Sequence, residues 1–286
     1  VAETFWTRGA DGVLIAADRR GDPGAPAVVF LHGAGQTRRS WSKAAAAVGD
    51  RGWQAITVDL RGHGESGWSE EGDYSLTSLA ADVREVLRGL PGPSVLVGAS
   101  LGGLTSLMLA GEVAPGAARA VVLVDIVPET QEAGLRRVLS FMADGMESGF
   151  ASLEEVADAV SRYNPHRSRP TDLAGLTTNL RRDGDRWYWH WDPNFIHEFD
   201  TLAIDLADHE RLYRGIERIL ADAVPMLLVR GQMSDLVSPE NADTLLNRFP
   251  QIEFIDVRGA GHMVAGDRND IFADAVLNFL SRHVGR

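Results

Sequence analysis

Short, continuous apolar runs recur along two parts of the chain: Val13–Ala17, Ala27–Leu31, Gln54–Asp59, Val95–Val97, Ala120–Val124, Pro225–Arg230 and Ile252–Val257. Runs of this length without polar alternation suit strands buried on both faces of a sheet. Between them lie segments with apolar residues at helical spacing. The clearest is Leu76, Leu79, Ala80, Val83, Val86, Leu87 and Leu90. Further helices are expected near Ser40–Val48, directly after Ser100, over Pro239–Phe249 and over Asp270–His283. Strand alternating with helix predicts an α/β fold: a mostly parallel central sheet flanked by helices.

The alternation stops near Ile126 and resumes near Pro225. In between the spacing predicts helices over Gln131–Met142, Ser152–Tyr163, Leu173–Leu180 and Ala203–Leu220, with the aromatic segment Arg186-Trp187-Tyr188-Trp189-His190-Trp191 among them. The expected organisation is therefore a core of residues 1–126 and 221–286, with a helical cap insertion at 127–220 over one sheet edge.

Bulk properties narrow the function. A chain of 286 residues with 44% hydrophobic and 24% charged content is expected to be an ordinary soluble globular protein. Its net charge of −12 argues against nucleic acid and anionic membrane surfaces as partners. It has no cysteine, which removes thiol catalysis, disulfides and cysteine-ligated metals. No apolar run reaches the ~18–20 residues of a membrane span, and the start lacks the pattern of a secretory signal. A cytoplasmic location fits these features.

Chemistry concentrates at the carboxyl ends of the predicted strands, where parallel sheets collect functional residues. Val95-Leu96-Val97 leads into Gly98-Ala99-Ser100-Leu101-Gly102, and a helix-compatible run follows. A strand, a sharp turn and a helix would expose Ser100 at a helix N-terminus, where free N–H groups favour a developing anion. A serine hydroxyl needs a base within reach, and an imidazole is suited by its near-neutral pKa. The imidazole in turn needs a carboxylate to hold its tautomer. His262 and Asp235 each follow a later strand, in the order Ser, Asp, His.

His32-Gly33-Ala34-Gly35, Asp59-Leu60-Arg61-Gly62-His63-Gly64-Glu65-Ser66, Gly98–Gly102, Asp235 and Gly259-Ala260-Gly261-His262 together resemble the α/β-hydrolase fold family. The resemblance is to its capped branch of esterases, lactonases, cofactor-free haloperoxidases and epoxide hydrolases. It implies Ser100 as nucleophile, His262 as base and then acid, and Asp235 as the orienting acid. Asp125 also follows a strand end, and some members of the family carry the acid there. The resemblance further implies an oxyanion hole from the backbone N–H groups of Ala34 and Leu101.

Serine fits acyl transfer rather than epoxide opening or dehalogenation. Those reactions use an aspartate there, because a serine ether would leave water no acyl carbon to attack. The expected activity is hydrolysis of small or medium carboxylic esters, with no metal and no organic cofactor. Perhydrolase, lactonase or carbon–carbon bond hydrolase activity uses the same machinery, and a non-catalytic receptor on this scaffold is a further alternative. Candidate substrate contacts are His32, Trp187, Trp189 and His190. Arg162, His166, Arg167, Arg169, Arg181, Arg182 and Arg186 are basic groups of the insertion that could meet a substrate carboxylate, as a monoester of a diacid would present.

Overall fold

The computed structural model describes residues 2–165, 168–196 and 206–284. Eight strands form the main sheet: β1 (Glu3–Arg8), β2 (Leu14–Arg20), β3 (Ala27–Leu31), β4 (Gln54–Val58), β5 (Ser94–Ala99), β6 (Ala118–Val124), β9 (Met226–Gly231) and β10 (Glu253–Val257). Their order is β1-β2-β4-β3-β5-β6-β9-β10. β2 is antiparallel to both β1 and β4, and the remaining neighbours are parallel. The expected mostly parallel α/β sheet is present. The added strand is β1, which the apolar-run pattern missed because it is an edge strand whose residues are exposed or half-buried, Trp6 included.

Alternate side chains of the central strands feed two cores. Val28 and Phe30 of β3, with Val95 and Val97 of β5, face α1 (Ser42–Gly49) and α9 (Asn269–His283), meeting Val48, Phe272 and Phe279. Val29 and Leu31, with Leu96, face the other side. There they meet α2 (Leu76–Leu87), α3 (Leu101–Met108) and α7 (Leu206–Ala221). Burial on both faces is why these strands read as unbroken apolar runs. Helix starts are set locally. Ser75 accepts from the Ser78 N–H at the start of α2, and Ser238 forms a capping box with Asn241 ahead of Pro239 in α8 (Pro239–Arg248).

The segment between β6 and β9 is only partly helical. α4 (Glu132–Ala143) and α5 (Leu153–Tyr163) form where expected. The helix expected over Leu173–Leu180 stops early, as α6 (Leu173–Leu176) and a single 3-10 turn, Thr177–Asn179. The chain then makes an antiparallel hairpin of β7 (Leu180–Asp183) and β8 (Arg186–Trp189). Aromatic side chains and the tight Asp183–Arg186 turn, with Gly184 at φ 60, favour that hairpin over a helix. Of the helix expected next, residues 203–205 lie outside the described residues. α7 packs on the core layer rather than with the other inserted helices. The Cβ that an alanine would add at Gly111 falls 2.4 Å from Gly215 Cα, and Arg211 pairs with Glu112 at 2.5 Å.

The chain runs from β3 to β4 on one side and returns to β5 on the other. This reversal of strand order opens a crevice at the carboxyl edge between β3 and β5. α3 starts there in backbone contact with the sheet. A Cβ at Gly102 would fall 2.2 Å from the Leu31 carbonyl oxygen, and one at Gly98 2.2 Å from the Gly102 oxygen. Gly102→Ala must push α3 off β3, so urea denaturation should show a loss of about 1–3 kcal/mol or more. Wild-type stability in that variant would mean the contact is not held in solution.

Candidate active site

Ser100 sits between β5 and α3 with φ 47 and ψ −116, a backbone conformation that non-glycine residues rarely adopt. The turn is held from both sides. The Ser100 N–H donates to the Val124 carbonyl (3.1 Å), and its own carbonyl accepts from Gly103 and Leu104. The side chain is thereby presented to a cavity of about 210 Å3, which Ala34, Trp189, Trp191 and His262 also line.

His262 follows β10. Its Nδ1 lies 2.7 Å from Oδ2 of Asp125. A carboxylate only accepts, so Nδ1 carries the proton and Nε2 is left as the acceptor. Asp125 follows β6 directly, again at positive φ (50). It is fully buried, and its carboxylate is well supplied with donors. Oδ1 accepts from the Gly231 N–H (2.9 Å), and Oδ2 accepts from Ser234 Oγ (2.5 Å) as well as from His262. Ser234 is fixed in turn, because its oxygen accepts from the N–H groups of Leu236 and Val237, both at 3.1 Å. The hydroxyl proton is left to point at Asp125. Sequence reasoning missed Ser234; its only signal was its place beside an aspartate at a strand end.

Asp235 is therefore not the partner of His262, contrary to the expectation. The turn after β9, closed by the Ser234 N–H on the Gly231 carbonyl, points Ser234 inward and Asp235 outward. Asp235 pairs instead with Arg137 of α4 at 2.8 Å, both half exposed. Of the two aspartates that follow strands in this half of the sheet, geometry brings Asp125 to the imidazole.

Three buried histidines hold the loops after β3 and β4. His32 Nε2 accepts from the Leu60 N–H (3.0 Å), and its Nδ1 donates to the Gly33 carbonyl (2.8 Å). His63 Nε2 accepts from the Gly35 N–H (3.1 Å), and its Nδ1 donates to the Arg61 carbonyl (3.1 Å). His190 Nδ1 accepts from the Gly64 N–H (2.8 Å). Each ring accepts a backbone N–H, which an imidazolium cannot do. Burial, reinforced by mutual proximity, pushes all three down to about 3. His32 and His190 thus serve the backbone and do not line the cavity. Among the described residues, the N–H groups of Ala34 and Leu101 have no protein acceptor, while those of Gly33 and Gly35, on either side of Ala34, do.

The rest of the Asp59–Ser66 segment is scaffold. Asp59 accepts from the Arg38 and Glu65 N–H groups and pairs with the Arg38 guanidinium. Buried Arg61 is clamped by Asp82 and Asp11. In the insertion, Trp189 and Trp191 stack at 4.9 Å on the cavity wall. Their indole N–H groups donate to the carbonyls of Asp144 and Met142. Trp187 lies outside the wall, under Arg182. Arg162 and Arg169 pair with Asp144 and Asp158, Arg181 stacks on Tyr188, and Arg186 donates to the Gly149 carbonyl. None of these described cations reaches the cavity; His166 and Arg167 lie outside the described residues. No group of described residues could hold a metal ion, and no described helix is long and apolar enough to cross a membrane.

Comparison with known proteins agrees with this architecture. Residues 26–268 match the model of the alpha/beta hydrolase fold. Esterase Rv0045c of Mycobacterium tuberculosis is 32% identical, over 94% of this chain and 90% of its own. A solved structure of that esterase superposes with a TM-score of 0.76 over 98% of this chain and 92% of its own, at 31% identity. The mouse sn-1-specific diacylglycerol lipase ABHD11 is 30% identical over 91% of this chain and 83% of its own. The crystal structure of E-2-(acetamidomethylene)succinate hydrolase shares the fold, with a TM-score of 0.79 at 23% identity, covering 98% of this chain and 100% of that one. A family model that spans the sheet from β3 to the loop after β10, and a relative sharing nearly a third of its residues along almost the whole length, lead to one conclusion: the chain belongs to the α/β-hydrolase family.

Proposed function

We propose that this chain is a serine carboxylesterase acting through an acyl-enzyme. The observation that carries the reading is the Asp125–His262 hydrogen bond, which leaves Nε2 free as a base in the cavity that Ser100 enters. Nε2 takes the Ser100 proton as Oγ attacks the ester carbonyl. The oxyanion is received by the Ala34 and Leu101 N–H groups, the latter at the positive end of α3. His262 then gives the proton to the departing alcohol, and water activated by the same imidazole releases the acid. Asp125 replaces Asp235 in this triad. α4, α5 and the β7–β8 hairpin serve as the cap, and the aromatic end of the hairpin closes the cavity. Relatives with esterase and lipase names support hydrolysis of esters.

Ser100→Ala should lower kcat on p-nitrophenyl butyrate by roughly 10⁴-fold or more. It should also abolish labelling by a fluorophosphonate probe; turnover near the wild-type rate would refute the mechanism. Asp125→Asn should cost on the order of 10⁴-fold in kcat, exceeding the loss in Asp235→Asn by at least ~10²-fold. The reverse ranking would return the acid to Asp235.

The three buried histidines also set an acid limit. Unfolded, each takes a proton near pH 6.5; folded, each resists until about 3. Between those values the unfolded chain binds more protons, so stability falls as pH drops, by up to ~1.4 kcal/mol per pH unit for each ring. Urea midpoints should therefore decline from pH 7 to pH 5, and less steeply in His63→Gln. Equal midpoints would show that the rings are not buried neutral.

A further inference from the structure

Three consecutive peptide units surround the Ala34 N–H, and each meets a different histidine. The first joins Gly33 to Ala34. Its carbonyl accepts from His32 Nδ1 (2.8 Å) and from the Gln36 N–H (3.1 Å). Carbonyl and N–H point opposite ways across a planar trans peptide, so the bonds on the Gly33 oxygen fix the direction of the Ala34 N–H. The second unit joins Ala34 to Gly35, and its N–H donates to His63 Nε2 (3.1 Å). The third joins Gly35 to Gln36, and His190 approaches its carbonyl. His190 Nδ1 accepts from the Gly64 N–H (2.8 Å), so Nε2 carries the ring proton. Its approach to the Gly35 oxygen is looser than a full hydrogen bond.

His32 and His63 belong to the core, and His190 belongs to the insertion. It directly follows β8, is 7% exposed, and lines neither cavity that holds Ser100. Its ring meets that of His63 edge-on, with centroids 5.9 Å apart. The segment is pinned beside it. The Asp192 N–H donates to the Gly62 carbonyl (2.9 Å), and the Tyr74 hydroxyl donates to the Asp192 carboxylate. Gly35, at φ 72, has no side chain of its own to fix it. The insertion also covers it: a Cβ there would fall 3.4 Å from Met142 Cγ and 3.4 Å from Trp191 Cζ3.

Resting on the serine mechanism proposed above, we infer that His190 is a positioning residue of the oxyanion hole. The insertion is then more than a wall over the serine. Through this ring it completes the frame that aims the Ala34 N–H, and without the ring one of the three peptide units loses its histidine. His190 does not meet the substrate, so its effect is confined to states that carry a negative oxygen against Ala34 and Leu101.

The test reads that oxygen directly. Butyl trifluoromethyl ketone bonds its carbonyl carbon to Ser100 Oγ; the carbonyl oxygen takes the electron pair of the opened double bond, and the Oγ proton passes to His262 Nε2. Its inhibition constant therefore follows the oxyanion hole, and does not depend on how much of the protein is active. His190→Leu should raise that constant roughly 10-fold, a fraction of the ~10²–10³ that a lost donor costs. It should lower kcat/KM for p-nitrophenyl butyrate, per fluorophosphonate-labelled site, by a similar factor. Tyr74→Phe removes the bond to Asp192 but touches none of the three peptide units, and should leave both quantities unchanged. His190→Asn can still accept from the Gly64 N–H but is too short to reach Gly35. It should raise the constant roughly 3-fold, and it carries the test should His190→Leu fail to fold.

An unmoved constant in a folded His190 variant makes the ring scaffold alone and overturns the inference. An equal rise in Tyr74→Phe overturns it too, because the effect would then belong to docking of the insertion at large. Wild-type protein that resists both the fluorophosphonate and the ketone overturns the serine mechanism and this inference together. Wild-type protein that takes both, with His190 variants that match it, overturns this inference alone.

Discussion

A carboxylate removed from water must be met by donors, or burial neutralises it. Asp125 satisfies that demand with the His262 imidazole, the Ser234 hydroxyl and the Gly231 amide. Those three donors come from the loop after β10, the loop after β9 and the end of β9 itself. One side chain therefore ties together the parts of the chain that must converge for the proposed chemistry. The other half of the site depends on a steric condition: α3 can begin against β3 and β5 only because Gly98 and Gly102 lack side chains. The first condition orients the proposed base; the second presents the proposed nucleophile.

Much of this was legible in the residues. The sharp turn at Ser100 was readable because glycines flank it between a strand and a helix, and the doubly buried strands announced themselves by continuous apolar runs. The carboxylate partner of His262 was harder. Asp125 and Asp235 both follow strands, and the choice between them depends on a four-residue turn that faces Ser234 inward. No spacing rule encodes that turn. The β7–β8 hairpin was hidden for another reason: Arg181, Arg182 and Arg186 break its apolar alternation, and the first two lie over the rings of Tyr188 and Trp187. β1 was missed because an edge strand buries too little to leave a pattern.

The aromatic segment illustrates how neighbours can differ in kind. Trp189 faces the cavity, His190 faces the backbone of the Gly62–Gly64 turn, and Trp187 faces Arg182. Alternation puts Trp187 and Trp189 on one face of β8, so their places along the strand, not the face they share, decide which one meets the cavity. The histidines divide similarly: among the described residues His262 has an acidic partner on one nitrogen and none on the other, whereas His32 and His63 have both nitrogens engaged by the backbone.

The insertion departs from the core directly beyond Asp125, through Ile126 and Val127, which are 2% and 1% exposed. Ile126 is wedged so tightly against α3 that a Cβ at Gly103 would fall 2.3 Å from its Cγ2. These two apolar side chains act as a clamp on the tether. The position of the Asp125 carboxylate is therefore set by the core layer, before the inserted segment begins.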